Sequence, residues 1–242
     1  MSRLLDRLVR FVSVERVQFV ERDNNRFAMA LGQITRYVRF LEMLHDRHRA
    51  NSDAFVLQME QMHSVLSKSG EITAEQAEYL QICNAKQSVV ELDIESYYLF
   101  AKILLDRVAR FVEFYFGPAR NLSLDSHGKM TRNFGRYAAD RGLHSCERVD
   151  ERLRSLKVDI SDYRDYQIAH HKNPRTIRGL LFHPDEGVAI VATNLYPAPE
   201  EKQVQSVPLA KISDDIDKYL EEVISLLCDN RDRTILRRDQ AS

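Results

Sequence analysis

Val89–Phe116, VVELDIESYYLFAKILLDRVARFVEFYF, is the stretch on which the fold turns. It holds neither glycine nor proline, and Tyr97, Phe100, Leu104, Val108, Phe111 and Tyr115 recur at helical spacing. Leu99, Ile103, Leu105, Val112 and Phe114 widen that stripe until only Lys102, Asp106, Arg110 and Glu113 are left as a polar face. A helix apolar over most of its circumference has to be surrounded, so this reads as the central helix of a bundle. Gly117-Pro118 ends it, because proline follows a helix but does not continue one.

Outward from that helix the chain stays helical. Upstream, Thr73-Ala74-Glu75-Gln76 is a capping box that opens the second helical block, just after a glycine stop at Ser69-Gly70. Before it, Leu4, Leu8, Phe11 and Ile34, Val38, Leu41, Leu44 keep helical period. Polar joints at Asp23-Asn24-Asn25 and Asn51-Ser52-Asp53 divide this region into three expected helices. Downstream, a helix near Gly128–Asp140 precedes another marked by Val149, Leu153, Leu156, Ile160, Tyr163 and Gln167, closed by Asn173-Pro174.

The period then changes. Gly179–His183 and Val188–Thr193 are short and β-branched around Pro184-Asp185-Glu186-Gly187, which predicts a hairpin within 176–194. A last helix is expected from Ser213, with Ile212, Ile216, Leu220, Val223 and Leu227 inward, and a polar tail after Asp229. The expected fold class is therefore mainly α: a helical bundle with an N-terminal helical arm and a small β-hairpin inserted before the last helix. The expected division is an N-terminal helical region at 1–70 packing on a helical domain at 71–229, with the tail at 230–242.

Composition agrees. In 242 residues there are 8 glycines and 6 prolines, no proline precedes Pro118, and five fall between Pro174 and Pro208. That scarcity of breakers excludes a glycine-rich barrel, a collagen-like chain and a doubly wound nucleotide fold. Net charge is −1, so no global field draws the chain to nucleic acid. The charge is blocky, however: Lys plus Arg minus Asp plus Glu gives +4 over 1–50, −6 over 51–100, +5 over 101–157 and −4 over 158–242. Local basic surfaces can hide under the neutral total.

Three scattered cysteines, Cys83, Cys146 and Cys228, fit core thiols in a reducing cytosol. No apolar stretch is long enough to span a bilayer and no secretory leader is evident, which points to a cytoplasmic protein without a membrane partner. Neither a glycine-rich phosphate loop nor a GxGxxG, HExxH, CxxC, GxSxG or calcium-loop motif occurs, so no cofactor is expected. His45 with His48, and His144 with Cys146, offer two-ligand corners without a third ligand, and no metal site is expected.

The segment 162–171, Asp-Tyr-Arg-Asp-Tyr-Gln-Ile-Ala-His-His, carries more. Arg164, Asp165 and His170 resemble the motif of the HEPN superfamily (higher eukaryotes and prokaryotes nucleotide-binding domain), in which Arg, a polar residue, four further residues and His follow one another. Arg39 with His45, Arg120 with His127, and Arg178 with His183 satisfy the bare spacing too. Only Arg164 lies late in a helix, after a long central helix and before a closing one.

The arrangement looks most like bacterial HEPN proteins of abortive infection and toxin-like function. That resemblance implies a metal-independent endoribonuclease with RNA as substrate, a homodimer whose motifs share one groove, and a protein regulator or antitoxin as a further partner. Arg164, His170 and Asp165 are its catalytic candidates. His170 is followed by His171 and Lys172 rather than by a tyrosine two places on, which argues against the nucleotidyltransferase-paired form. On an ideal helix His170 lies about 120° from Arg164 and His171 within about 20°, so His171 is the alternate catalytic residue.

The chemistry suits those residue types. RNA supplies its own 2′-hydroxyl as nucleophile, an imidazole moves protons near neutrality, and a guanidinium holds phosphate oxygens in pairs. Asp165 is suited to orienting either group. Tyr163, Tyr166, Gln167 and Lys172 form the candidate substrate-binding set; the tyrosines are able to stack on bases, and core or half-buried packing is the favoured placement for them. The residues alone leave a second reading open: a non-catalytic binding or scaffold protein, in which the histidines cap helix carbonyls and Arg164 pairs with Asp162 or Asp165.

Overall fold

The computed structural model describes residues 3–19, 21–66, 73–164, 176–183, 187–194, 204–205 and 208–237. The fold is mainly α with a small β-sheet, as the sequence predicts. The helices are α1 (Arg3–Arg16), α2 (Glu21–Leu66), α3 (Ala74–Phe116), α4 (His127–Arg141), α5 (Glu147–Leu156) and α6 (Leu209–Asp229). A π-helical segment, Lys157–Asp162, continues α5, and a 3-10 turn, Arg231–Arg233, follows α6.

Strands β1 (Thr176–His183) and β2 (Gly187–Asn194) form the expected antiparallel hairpin, pairing Thr176 with Asn194 through His183 with Gly187. A two-residue strand not foreseen from sequence, β3 (Val204–Gln205), adds to β2.

Contacts divide the chain into two compact units: residues 1–40, 100–162 and 213–242, and residues 41–99 and 163–212. Helices α2 and α3 each contribute to both.

The first unit is built on the C-terminal half of α3. There Ala101, Leu104, Leu105, Val108, Ala109, Phe111, Val112, Tyr115 and Phe116 are all buried, so that half is surrounded as its composition requires. Lys102, assigned from sequence to the polar face, is instead buried and paired with Asp106. Phe11, Phe19, Phe27, Phe111 and Tyr115 form an aromatic cluster with ring centroids 4.8 Å apart at the closest pair. Gly117, at φ +88°, ends α3 in a conformation that disfavours any side chain, and its N–H donates to the Glu113 carbonyl at 2.8 Å.

Three expectations for the helix ends are corrected. The chain leaves α1 at residues 17–19, not at Asp23-Asn24-Asn25. Those polar residues stay in α2 because Asn24 works sideways: its amide nitrogen donates to the Arg16 carbonyl at 3.1 Å and its oxygen accepts from Arg16 Nε at 2.6 Å, closing the end of α1. Helix α6 begins at Leu209, four residues before the expected start, behind Pro208, whose carbonyl accepts from Ile212 N–H. Asp214, Asp215 and Asp217 therefore lie beyond its first turn, and Asp215 pairs with Arg152 at 3.0 Å.

The expected tail is not free over 230–237 either. Asn230 is buried and bonds both ways with His144, Arg231 pairs with the buried Glu15 at 2.6 Å, and the Thr234 hydroxyl donates to the Tyr115 carbonyl at 2.6 Å.

In the second unit α2 and α3 supply the packing faces Leu41, Leu44, Phe55 and Cys83, Val90, Ile94, Tyr97, Tyr98. Asn51-Ser52-Asp53 is not a joint: α2 runs through it unbroken. The capping box at Thr73 forms in both directions, Gln76 N–H to Thr73 Oγ1 at 3.3 Å and Thr73 N–H to the Gln76 side chain at 2.9 Å.

Candidate functional site

The approach to Arg164 is built by α5 and the π-segment. Val149, Leu153, Leu156, Ile160 and Tyr163, the stripe predicted from spacing, are all buried. The π-segment closes i→i+5 rather than i→i+4, so each residue rotates less and residues five apart come onto one side. Lys157 Nζ accordingly reaches both oxygens of Asp162, each at 2.9 Å. Short π-turns of this kind recur at functional sites.

Arg164 is half-buried and still helical. Tyr163 is 8% exposed and stacks on Tyr98 with ring centroids 4.5 Å apart, so core packing, not base stacking, is its placement. Asp165, Tyr166, Gln167, His170, His171 and Lys172 lie outside the described residues. Of the rival pairs, His127 is fully buried at the start of α4 while Arg120 is exposed in a turn, and Arg178 and His183 belong to β1.

Two buried polar clusters were not foreseen. The first, in the first unit, holds the π-segment. His127 N–H donates to Asp106 at 2.7 Å, Lys102 pairs with the same carboxylate, and His127 Nδ1 meets the Ser161 hydroxyl at 3.3 Å. Burial, reinforced by the Lys102 charge and opposed by Asp106, pushes the His127 imidazole down to about 3. A neutral imidazole with no exposed surface moves no proton to a bound substrate; it anchors Ser161, three residues before Arg164. The spacing between His127 and Ser161 in sequence carries no signal of this contact.

The second cluster fixes the hairpin to α2 in the second unit. Ser52 Oγ lies 3.3 Å from His48 Nε2 and accepts from Val188 N–H at 3.3 Å. Asp93, fully buried, accepts from Asn51 at 2.6 Å and pairs with Arg47. Burial lowers the His48 imidazole, with Asp93 pulling the other way. Serine and histidine thus meet, yet Ser52 is 0% exposed and its oxygen is already engaged, so the pair is a fastening and not a nucleophile.

His48, one half of the two-histidine corner considered from sequence, faces this core, and among the described residues no group of three metal-ligating side chains occurs. Cys83 is buried, whereas Cys146 and Cys228 are only half-buried, and all three thiols are free and raised by burial. Among the described residues no helix is long and apolar enough to cross a membrane.

No protein-family model, curated protein or solved structure matches this chain.

Proposed function

We propose that the protein is a metal-independent endoribonuclease of the defence or toxin type, with Arg164 and His170 acting in a groove shared by two copies. The observation that supports this reading most is local. The one Arg–Asp–x4–His stretch in the chain, beginning at Arg164, follows closely on a π-helical segment, a kind of turn that recurs at functional sites.

In this reading a histidine takes the proton of the ribose 2′-hydroxyl, and the 2′-oxygen attacks the adjacent phosphorus. The bond to the 5′-oxygen breaks and that oxygen is protonated, leaving a 2′,3′-cyclic phosphate and a 5′-hydroxyl. Arg164 holds the phosphate oxygens as charge accumulates on them. One histidine from each copy serves as base and acid, and Asp165 orients its neighbours.

The test is incubation of the protein with total RNA or tRNA in EDTA, beside Arg164→Ala, His170→Ala and His171→Ala. Cleavage lost with Arg164→Ala and His170→Ala supports the reading; RNA left intact by the unmodified protein overturns it. Inactivity of His171→Ala alone moves the catalytic role to His171.

A different observation favours the binding or scaffold reading. Ile82, Val89, Leu92 and Leu99 are exposed along one stripe of α3, at the three- and seven-residue spacing of a helix-pairing seam. A dimer that Leu92→Glu dissociates, in a protein that leaves RNA intact, supports that reading instead.

A further inference from the structure

Helix α4 buries His127, Met130, Phe134, Tyr137 and Ala138, and on another side it carries Lys129, Arg132 and Arg136. At 100° per residue these three cations fall within an arc of about 60°. Beside them runs the turn that follows α3, with Asn121 held at φ +56° and Ser123 two residues on. Asn133 Nδ2 donates to the Ser123 carbonyl at 3.1 Å, tying helix to turn. Together they enclose an open hollow of about 430 Å³ lined by Asn121, Ser123, Lys129, Arg132, Asn133 and Arg136. Every lining residue is cationic or a hydrogen-bonding polar group.

The charge of this hollow is largely uncompensated. Lys129 pairs with Asp125 at 2.6 Å, but Arg132 Nε donates to the neutral Gly128 carbonyl at 3.2 Å and Arg136 to the Asn133 side chain at 3.2 Å. Neither arginine forms an ion pair among the described residues. Arg120 is exposed in the adjoining turn, and the hollow lies in the +5 block of the sequence. Seven residues of helix separate Lys129 from Arg136, about 10 Å, so the row matches several phosphates of a strand rather than one. With no apolar side chain in the lining to enter an acyl layer, a polynucleotide fits better than a lipid surface.

We propose that this hollow beside α4 binds the phosphate backbone of RNA, with Arg132 and Arg136 as its main contacts. The proposal rests on the ribonuclease reading for its ligand class and deepens it by naming where substrate is held; asparagine and serine groups in the lining suit ribose hydroxyls.

The experiment measures fluorescence anisotropy of a labelled single-stranded RNA with the full chain in EDTA over a salt series, for the unmodified protein and for Arg132→Ala/Arg136→Ala. Both arginines point to solvent, and a thermal melt of each protein verifies folding. Removing two phosphate contacts weakens binding at least tenfold at about 0.1 M salt and reduces the slope of log K against log salt by about 1.4. Unchanged affinity and slope overturn the proposal.

Two further arms separate the sources of phosphate. Competition by a mononucleotide as effective as by the RNA, or loss in the same variant of binding to phosphatidylserine vesicles with RNA binding retained, also overturns it. Failure of the ribonuclease reading looks different. RNA bound through these arginines but never cut leaves the proposal standing and removes that reading, whereas RNA cut by the double variant with unchanged KM does the reverse.

Discussion

Acidification probes the anchor of the π-segment through His127. In the unfolded chain this imidazole titrates at its ordinary 6.5, and in the fold burial pushes it down to about 3. A lowered native value means that the unfolded chain binds the proton more readily. The contribution is therefore fully present above 6.5 and is lost as pH falls through the window down to the native value. Inside that window each pH unit costs about 1.4 kcal/mol. Between about pH 7.5 and about pH 4.5 the loss comes to roughly 2–3 kcal/mol. His127 has no exposed surface, so solvent does not dilute this figure.

Other groups respond to acid as well, His48 among them, since burial lowers its imidazole too. Comparison with His127→Gln isolates the effect, because glutamine keeps a polar group facing Ser161 and cannot titrate. Urea unfolding followed by circular dichroism across that pH range gives both slopes. The unmodified protein should lose roughly 2–3 kcal/mol more than the variant. Parallel slopes, or an imidazole in the folded protein that titrates near 6.5 by NMR, would show that His127 is not held neutral and refute the reasoning.

Three further outcomes follow from the geometry. Gly187→Ala places a Cβ at φ +83°, 3.2 Å from Ser52 Oγ and 3.3 Å from His48 Nε2; it should cost about 1–3 kcal/mol and speed exchange of the Val188 amide. Thr73→Ala removes one half of the capping box of α3 and should lower stability by about 1 kcal/mol in urea unfolding. Asp93→Ala deletes a fully buried carboxylate bonded to Asn51 and Arg47; a loss of about 1.5–3 kcal/mol is expected, kept below the cost of stranding a buried charge because Arg47 is itself half in solvent.

The helical class, the capping box, the buried half of α3 and the hairpin were legible because each depends on a local period or a local turn. The failures share a physical cause. Asn24, Asn51 and Ser52 look like breaks because short polar side chains favour non-helical backbone by bonding to it. Here those same groups bond elsewhere: Asn24 to the end of α1, Asn51 to Asp93, Ser52 to β2. With the competing partner removed, the helix continues through them. Lys102 was placed on the polar face, and nothing nearby in sequence shows that Asp106 and the start of α4 close over it. Of the proposed site residues, Arg164 was found by motif, whereas the basic row of α4 was visible only as a block of positive charge.

The π-segment shows what a helical wheel cannot carry. On an ideal helix Ile160 and Ser161 stand 100° apart, and only one of them belongs to the inward stripe. In the fold both are buried, Ile160 with the apolar stripe and Ser161 against His127. The smaller rotation per residue of an i→i+5 turn permits this, bringing two successive residues toward the core. A hydroxyl thereby enters the interior just before the motif without displacing Tyr163 from its stack on Tyr98. The angles from Arg164 to His170 and His171 depend on the winding beyond Arg164, which lies outside the described residues, and the paired variants His170→Ala and His171→Ala decide between the two by activity.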